Sequence, residues 1–276
     1  MLRLTCPTRA YELGSPTAIP EFLGLEPTGQ PVAEVWLGTH PLAPSEVVTP
    51  EGPAPLADVA GQLPFMLKLL APVEPLSIQV HPSSSMAELG FAAEEAGKVP
   101  LDDPSRDFKD PHHKPEMVYA LSPFETLVGF RPPAEIVQLL APLDVTVSRR
   151  LLGHADTGPI GVLRQLLTEP PTPTEVNEFV AACAAQPSDV ARGYETVQHV
   201  ATFHPGDPGV VVALLLNRLT LEPGQAAFIG PGLVHAHLSG LCLEVMASSD
   251  NVMRAGLTPK RVNPQALLKI VDERQP

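Results

Sequence analysis

Short apolar or alternating runs bounded by Pro, Gly or Ser dominate the first 130 positions: 33–38 (AEVWLG), 65–70 (FMLKLL), 76–80 (LSIQV), 117–121 and 126–130. Such runs predict strands, and their even scatter predicts a sandwich or barrel. One stretch departs from the pattern. At 83–97 a Ser83 cap precedes Met86, Leu89 and Ala93 at helical spacing, which predicts one short helix between strands. From 132 to about 216 the period becomes helical, at 134–140, 160–167, 174–185 and 188–202, with Pro-rich joints such as PPTPTE. Three to five helices are expected there. Strand patterns then return at 218–221, 226–229, 234–238 and 241–246. The order β, α, β predicts one discontinuous barrel from residues 1–131 and 217–276, interrupted by a helical insertion domain at 132–216.

Composition narrows the function. With 34 prolines in 276 residues, elements must be short, while 44% hydrophobic residues suffice for a globular core. A formal net charge of −13 argues against non-specific nucleic-acid binding, which needs clustered cations. Cys6, Cys183 and Cys242 are odd in number and form no C-x-x-C pair, so a disulfide framework or cysteine zinc site is not expected. Neither a signal peptide nor an uninterrupted apolar run of membrane-spanning length is apparent. A cytoplasmic protein acting on a small molecule is expected, without nucleic-acid or membrane partners, as a monomer or weak homo-oligomer.

Four constellations carry chemistry. Gln79 and His81 share a strand face with Ser77, an arrangement that suits a hydrogen-bonded core pair as well as a metal. In the segment 107–116 (DFKDPHHKPE), Pro115 keeps Lys114 out of helical geometry, and Glu116 enters an apolar strand where an unpaired carboxylate would be costly. His235 and His237 form an H-x-H pair on the next candidate strand. Together these offer imidazole, carboxylate and amide oxygen, a set that suits Zn²⁺ with an exchangeable position. Finally, Arg254 and Lys260 follow Asp250 in a segment that fits either a phosphate pocket or a solvated loop. Nucleophile-elbow, P-loop, dinucleotide and H-E-x-x-H motifs are absent. His40, His154, His199 and His204 have no partner motif and read as surface or structural residues; Trp36 reads as core.

In order, the blocks AEVWLGTHP (33–41), PLSIQVHPS (75–83), HKPEMVYAL (113–121) and SDNVMRAGLTPK (249–260) resemble those of the type I mannose-6-phosphate isomerases, zinc enzymes of the cupin superfamily. The resemblance runs from Arg9 to about Pro264. It implies a mainly β, cupin-type jelly-roll barrel carrying a helical domain, and one Zn²⁺ per chain held by Gln79, His81, Glu116 and His235, with His237 only a neighbour. It implies catalytic roles for Arg254, Lys114, His113 and Asp250, and phosphate contacts from Ser77 and Lys260. The implied reaction interconverts mannose 6-phosphate and fructose 6-phosphate through a cis-enediol(ate); to act as its base, a free Lys114 or Asp250 would need a pKa moved toward neutrality by its surroundings. The family usually has Tyr where His237 stands and often Trp near Leu13, and longer members continue into a second C-terminal barrel that is not expected here. Two other readings are a non-catalytic sugar-phosphate-binding relative and an Fe(II) cupin dioxygenase. The second is weakened because Glu244 lies seven positions beyond His237.

Overall fold

The computed structural model describes residues 3–187 and 189–273. Along the chain run β1 (Arg3–Thr5), β2 (Thr8–Arg9), α1 (Ala18–Phe22), β3 (Glu34–Leu37), β4 (Glu46–Thr49), β5 (Gly52–Pro55), α2 (Leu56–Ala60), β6 (Phe65–Leu70), β7 (Ile78–Val80), α3 (Ser84–Ala96), β8 (Glu116–Ala120) and β9 (Phe124–Phe130). Helices α4 (Pro133–Leu140), α5 (Thr146–Leu152), α6 (Gly158–Thr168), α7 (Pro173–Ala184), α8 (Gly193–Phe203) and α9 (Gly209–Leu214) follow. The chain then returns through β10 (Leu216–Leu221), β11 (Ala226–Ile229), β12 (His235–Ser239), β13 (Cys242–Ala247), β14 (Met253–Gly256) and α10 (Pro264–Ile270).

A six-stranded sheet in the order β11-β8-β13-β6-β3-β2 faces a five-stranded sheet in the order β10-β9-β12-β7-β14, a cupin-type arrangement; β1, β4 and β5 form a small separate sheet. Strands before and after the helical block alternate throughout the five-stranded sheet and mix in the six-stranded one, where β6, β3 and β2 are neighbours. Period-two alternation sets the interior. On β8, Glu116, Val118 and Ala120 are buried while Met117 and Tyr119 face outward. The five-stranded sheet is used on both faces. Its inner face carries Gln79, His235, His237 and Thr126, whereas Ile78, Val80, Leu127, Val234 and Ala236 point outward into one core shared with Leu139, Leu163, Phe179 and Val197 of the helices. The helical block thus backs the sheet that carries the candidate ligands.

The helix of 83–97 is observed as α3, with Ser83 Oγ accepting from Met86 N at 3.4 Å. Among the described residues the block between β9 and β10 holds six α-helices rather than three to five. Two were missed because α5 is short and the apolar run at 210–216 continues from α9 into β10 with every residue buried. The helix expected at 188–202 starts at Gly193, because the Asp189 carboxylate accepts from Tyr194 N and Glu195 N, both at 2.8 Å, and caps it there; Ser188 lies outside the described residues. The segment at 249–260 contains an unpredicted strand, β14. Gly256 makes it fit: its φ is +151°, and a Cβ there would come 2.4 Å from the Gly209 Cα.

Candidate metal centre and cleft

Strand register builds the centre. His235 on β12 and Arg254 on β14 both pair with Gln79 on β7, so the three side chains form a row on one sheet face, and His81, two residues past Gln79, joins that face. From the opposite sheet Glu116 reaches in. His81 Nε2 lies 3.2 Å from Glu116 Oε1 and His235 Nε2 lies 3.2 Å from Oε2, all three residues being at most 1% exposed. The Nδ1 atoms of both imidazoles are already committed. His81 Nδ1–H donates to the Asn251 carbonyl at 2.7 Å and His235 Nδ1–H to the Leu233 carbonyl at 3.1 Å. In the neutral rings, therefore, both Nε2 lone pairs aim at a carboxylate, an arrangement that repels itself unless a cation sits between.

The buried His81 Nε2 and Glu116 Oε2 have no hydrogen-bond partner, and the ligand atoms of His81, Glu116 and His235 lie within 4.8 Å of one another. Burial pushes the His81 imidazole down to about 4, which keeps it neutral and able to ligate. Burial alone would raise the Glu116 carboxyl, but the Lys114 charge beside it is the main cause that holds it well below the usual range. Gln79 Nε2 lies 3.3 Å from His235 Nε2, and turning that amide over would present its oxygen to the same point. The donor set fits zinc: two imidazoles, a carboxylate and an amide oxygen.

His237 faces a second carboxylate. Its Nδ1 meets Thr126 Oγ1 at 3.0 Å and its Nε2 meets Glu244 Oε1 at 3.2 Å, and the ligand atoms of Glu116, His237 and Glu244 also lie within 4.8 Å of one another. Gln79 and Arg254 share their row with His235 rather than with His237.

Lys114 is buried, with Nζ 3.1 Å from Glu116 Oε1. Burial pushes its ammonium down, but the Glu116, Glu244 and Asp250 carboxylates outweigh it and raise the pKa. Asp250 moves the opposite way: a hydrogen bond from His40 holds its carboxyl low against partial burial, helped by the charges of Lys114 and Lys68. Neither shift is toward neutrality. His113 lies before β8 and is exposed where Lys114 and Glu116 are buried, lining a hollow of about 410 Å³ with His112, Gln62 and Ser248.

A cleft of about 760 Å³ is lined by Asp250, Arg254, Lys260, Arg261, Lys109 and Asp107, among others. Arg261 donates to Asp107 Oδ1 at 2.9 Å, and Lys109 Nζ to the Leu101 carbonyl at 2.9 Å. Among the described residues neither the Arg254 nor the Lys260 side chain makes a hydrogen bond or ion pair. Burial lowers the Arg254 pKa, and the neighbouring Arg254 charge lowers that of Lys260. Two adjacent cations without ion-pair partners among the described residues could hold an anion. Ser77, half-buried, precedes Gln79 on the same chain segment.

Several site residues escaped the sequence reading. Lys68, Glu34 and Glu244 are each a single charge inside an apolar strand, the very feature that singled out Glu116. Lys68 Nζ lies 3.8 Å from Glu34 Oε1 and 3.9 Å from Glu244 Oε2. Asn251, fully buried, had no signal at all. Its amide donates to the Asp110 and His112 carbonyls at 2.7 and 2.8 Å and accepts from Lys109 N at 2.7 Å, which ties the approach to Glu116 onto the approach to Arg254.

Comparison with known proteins matches residues 1–133 to the family of phosphomannose isomerase type I catalytic domains. The chain is 37% identical to the mannose-6-phosphate isomerase of Escherichia coli (strain K12) over 297 aligned residues, covering all of this chain and 76% of that protein. The chain belongs to the type I phosphomannose isomerases. A mannose-6-phosphate isomerase of Shigella flexneri is 38% identical with the same coverage. A crystal structure of a zinc-bound mannose 6-phosphate isomerase superposes on this phosphomannose isomerase family member with a TM-score of 0.86 at 36% identity, covering 99% of this chain and 74% of that one. A phosphomannose isomerase mutant from Salmonella typhimurium gives a TM-score of 0.87 at 35% identity, covering 99% and 75%. Among the described residues no helix is long and apolar enough to cross a membrane.

Proposed function

We propose that this phosphomannose isomerase interconverts mannose 6-phosphate and fructose 6-phosphate, with zinc held by Gln79, His81, Glu116 and His235. The observation that carries this reading is the row of Arg254, Gln79 and His235, which puts an unpaired guanidinium beside imidazole lone pairs that call for a cation. When bound, zinc supplies positive charge that stabilises negative charge developing on sugar oxygens. Lys260 and Ser77 hold the substrate phosphate throughout the reaction. Arg254 stabilises the enediolate, and its lack of a competing carboxylate keeps the full charge available. Asp250, ionised in the cleft, takes the proton from C2 and returns it to C1, while the hydroxyl proton passes from O2 to O1. Its low proton affinity weakens it as a base, and Arg254 offsets this by lowering the energy of the product anion. Lys114 stays protonated and donates hydrogen bonds toward the reacting oxygens while neutralising Glu116.

The test is conversion of fructose 6-phosphate to mannose 6-phosphate by purified protein of known zinc content, with and without a chelator, together with exchange of the C2 proton with solvent. Turnover and exchange that vanish on chelation and return with zinc support the reading. Sugar-phosphate binding without proton exchange in the zinc-loaded protein overturns it in favour of a non-catalytic relative.

A further inference from the structure

His40 follows β3 and is 4% exposed, yet no role in metal or substrate binding falls to it. It is fixed on three sides. The ring stands edge-on to Trp36, with centroids 5.3 Å apart and planes at 89°. Trp36 is in turn immobilised, with Nε1 donating to Glu34 Oε2 and the Arg9 and Lys68 cations 4.8 and 4.7 Å from its ring centroid. His40 Nδ1 accepts the Leu42 N–H at 3.3 Å, so in the neutral ring the proton sits on Nε2. That Nε2 lies 3.4 Å from Asp250 Oδ2.

Asp250 needs such a partner. Its side chain is 43% exposed at the cleft, where a free aspartate would sample several rotamers. Its backbone N–H donates to Asp110 Oδ2 at 2.8 Å, which fixes the main chain but not the carboxylate. We infer that His40 is a positioning residue: it holds the Asp250 carboxylate through Oδ2 in one orientation and leaves Oδ1 facing the substrate. The depressed Asp250 pKa, caused first by the His40 hydrogen bond, agrees with that contact. A ring needed only to pack against Trp36 would not have to present an N–H to a carboxylate that lines the cleft with Arg254. The inference rests on the isomerase reading, in which Asp250 moves the substrate proton.

The experiment is a double-mutant cycle on zinc-loaded full-length protein, reading kcat and KM for fructose 6-phosphate, with zinc content and Tm measured on every variant. His40→Ala is expected to lower kcat about tenfold or more with KM changed less than about twofold, because ground-state phosphate binding is untouched. His40→Gln, which keeps an N–H donor, should recover part of the loss. In an Asp250→Asn background His40→Ala should cost less than about twofold, since the two act as a unit. Should His40→Ala unfold, His40→Phe keeps the packing against Trp36 and removes the donor, and the same loss of kcat is expected. Wild-type kcat in a folded His40 variant, or equal losses with and without the Asp250 carboxylate, overturns the inference. An inactive zinc-loaded wild type instead refutes the isomerase reading, which keeps the two failures distinguishable.

Discussion

The two faces of the five-stranded sheet bury residues of opposite kinds. On its outer face Ile78, Leu127, Phe130, Leu163, Phe179 and Val197 form an apolar core against the helices, and the ion pairs Arg192–Glu125 and Arg218–Glu195 join the start of α8 to the sheet. Between its inner face and the six-stranded sheet the chain buries Glu116, His81, His235, His237, Lys114, Lys68, Glu34 and Glu244, all at most 9% exposed. Buried charge is costly unless paired, and the inner set pairs itself in a chain of lysines, carboxylates and imidazoles. Apolar packing on one side thus carries stability, and it holds the other side in an arrangement that hydrophobicity alone would not select.

The largest effect that would sharpen this contrast is at Glu116. Glu116→Gln should abolish zinc retention and lower kcat/KM by about a thousandfold or more, because it removes the only carboxylate facing both imidazole lone pairs. Zinc content and turnover measured together check this, and retained zinc would reject Glu116 as a ligand. Arg254→Ala should lower kcat by about a hundredfold with zinc content unchanged, the size typical of losing one donor to a developing anion.

On the outer face, Phe179→Ala should destabilise the protein by about 3–5 kcal/mol through the cavity it leaves. Denaturant unfolding checks the loss, and zinc affinity of the folded fraction should not change; a changed affinity would break the division between the two faces. Lys260→Ala should raise KM about tenfold with little change in kcat, because the phosphate is held equally in ground and transition states.

The smallest effect is at the seam. Glu125 accepts from Arg192 and, through a short contact, from Thr220, and it pairs with Arg218 at 2.5 Å. Burial would raise its carboxyl, but the Thr220, Arg218 and Arg192 contacts hold it low. A depressed carboxyl stabilises the fold above its ordinary pKa, and the contribution is lost as pH falls through the folded value. His199 acts earlier in the same direction. Burial first, then Arg218, lowers its pKa, so the unfolded chain takes up a proton below about pH 6.5 while the folded chain does not. Glu125→Gln should cost about 1 kcal/mol or less at pH 7, since solvent screens the pair. Tm measured from pH 7 to 4 should show the wild type and Glu125→Gln converging as acid is added; a constant gap would reject the carboxylate's role.

Much of this was legible from pattern. Strand alternation identified Gln79 with His81 and His235 with His237 as residues sharing a face, and an isolated carboxylate in an apolar strand marked Glu116. The same criterion applied to FMLKLL, AEVWL and LCLEVM would have found Lys68, Glu34 and Glu244. It was not decisive there because a lone charge in a strand reads equally as an outward one until the partner strand is known. His40 read as structural for the same reason: nothing local says that Asp250, more than two hundred positions later, lies against it.

What the sequence determined by itself was the type of each element, the split of the β pattern around a helical block, and the residues with metal chemistry, because these depend on periodicity and on side-chain type. Only the tertiary structure decided which carboxylate each histidine faces, why 249–260 includes a strand, and which way the pKa values of Lys114 and Asp250 move. Those outcomes are set by register and burial between distant segments: Gln79 against His235 and Arg254, Thr126 and Glu244 around His237, and His40 against Asp250.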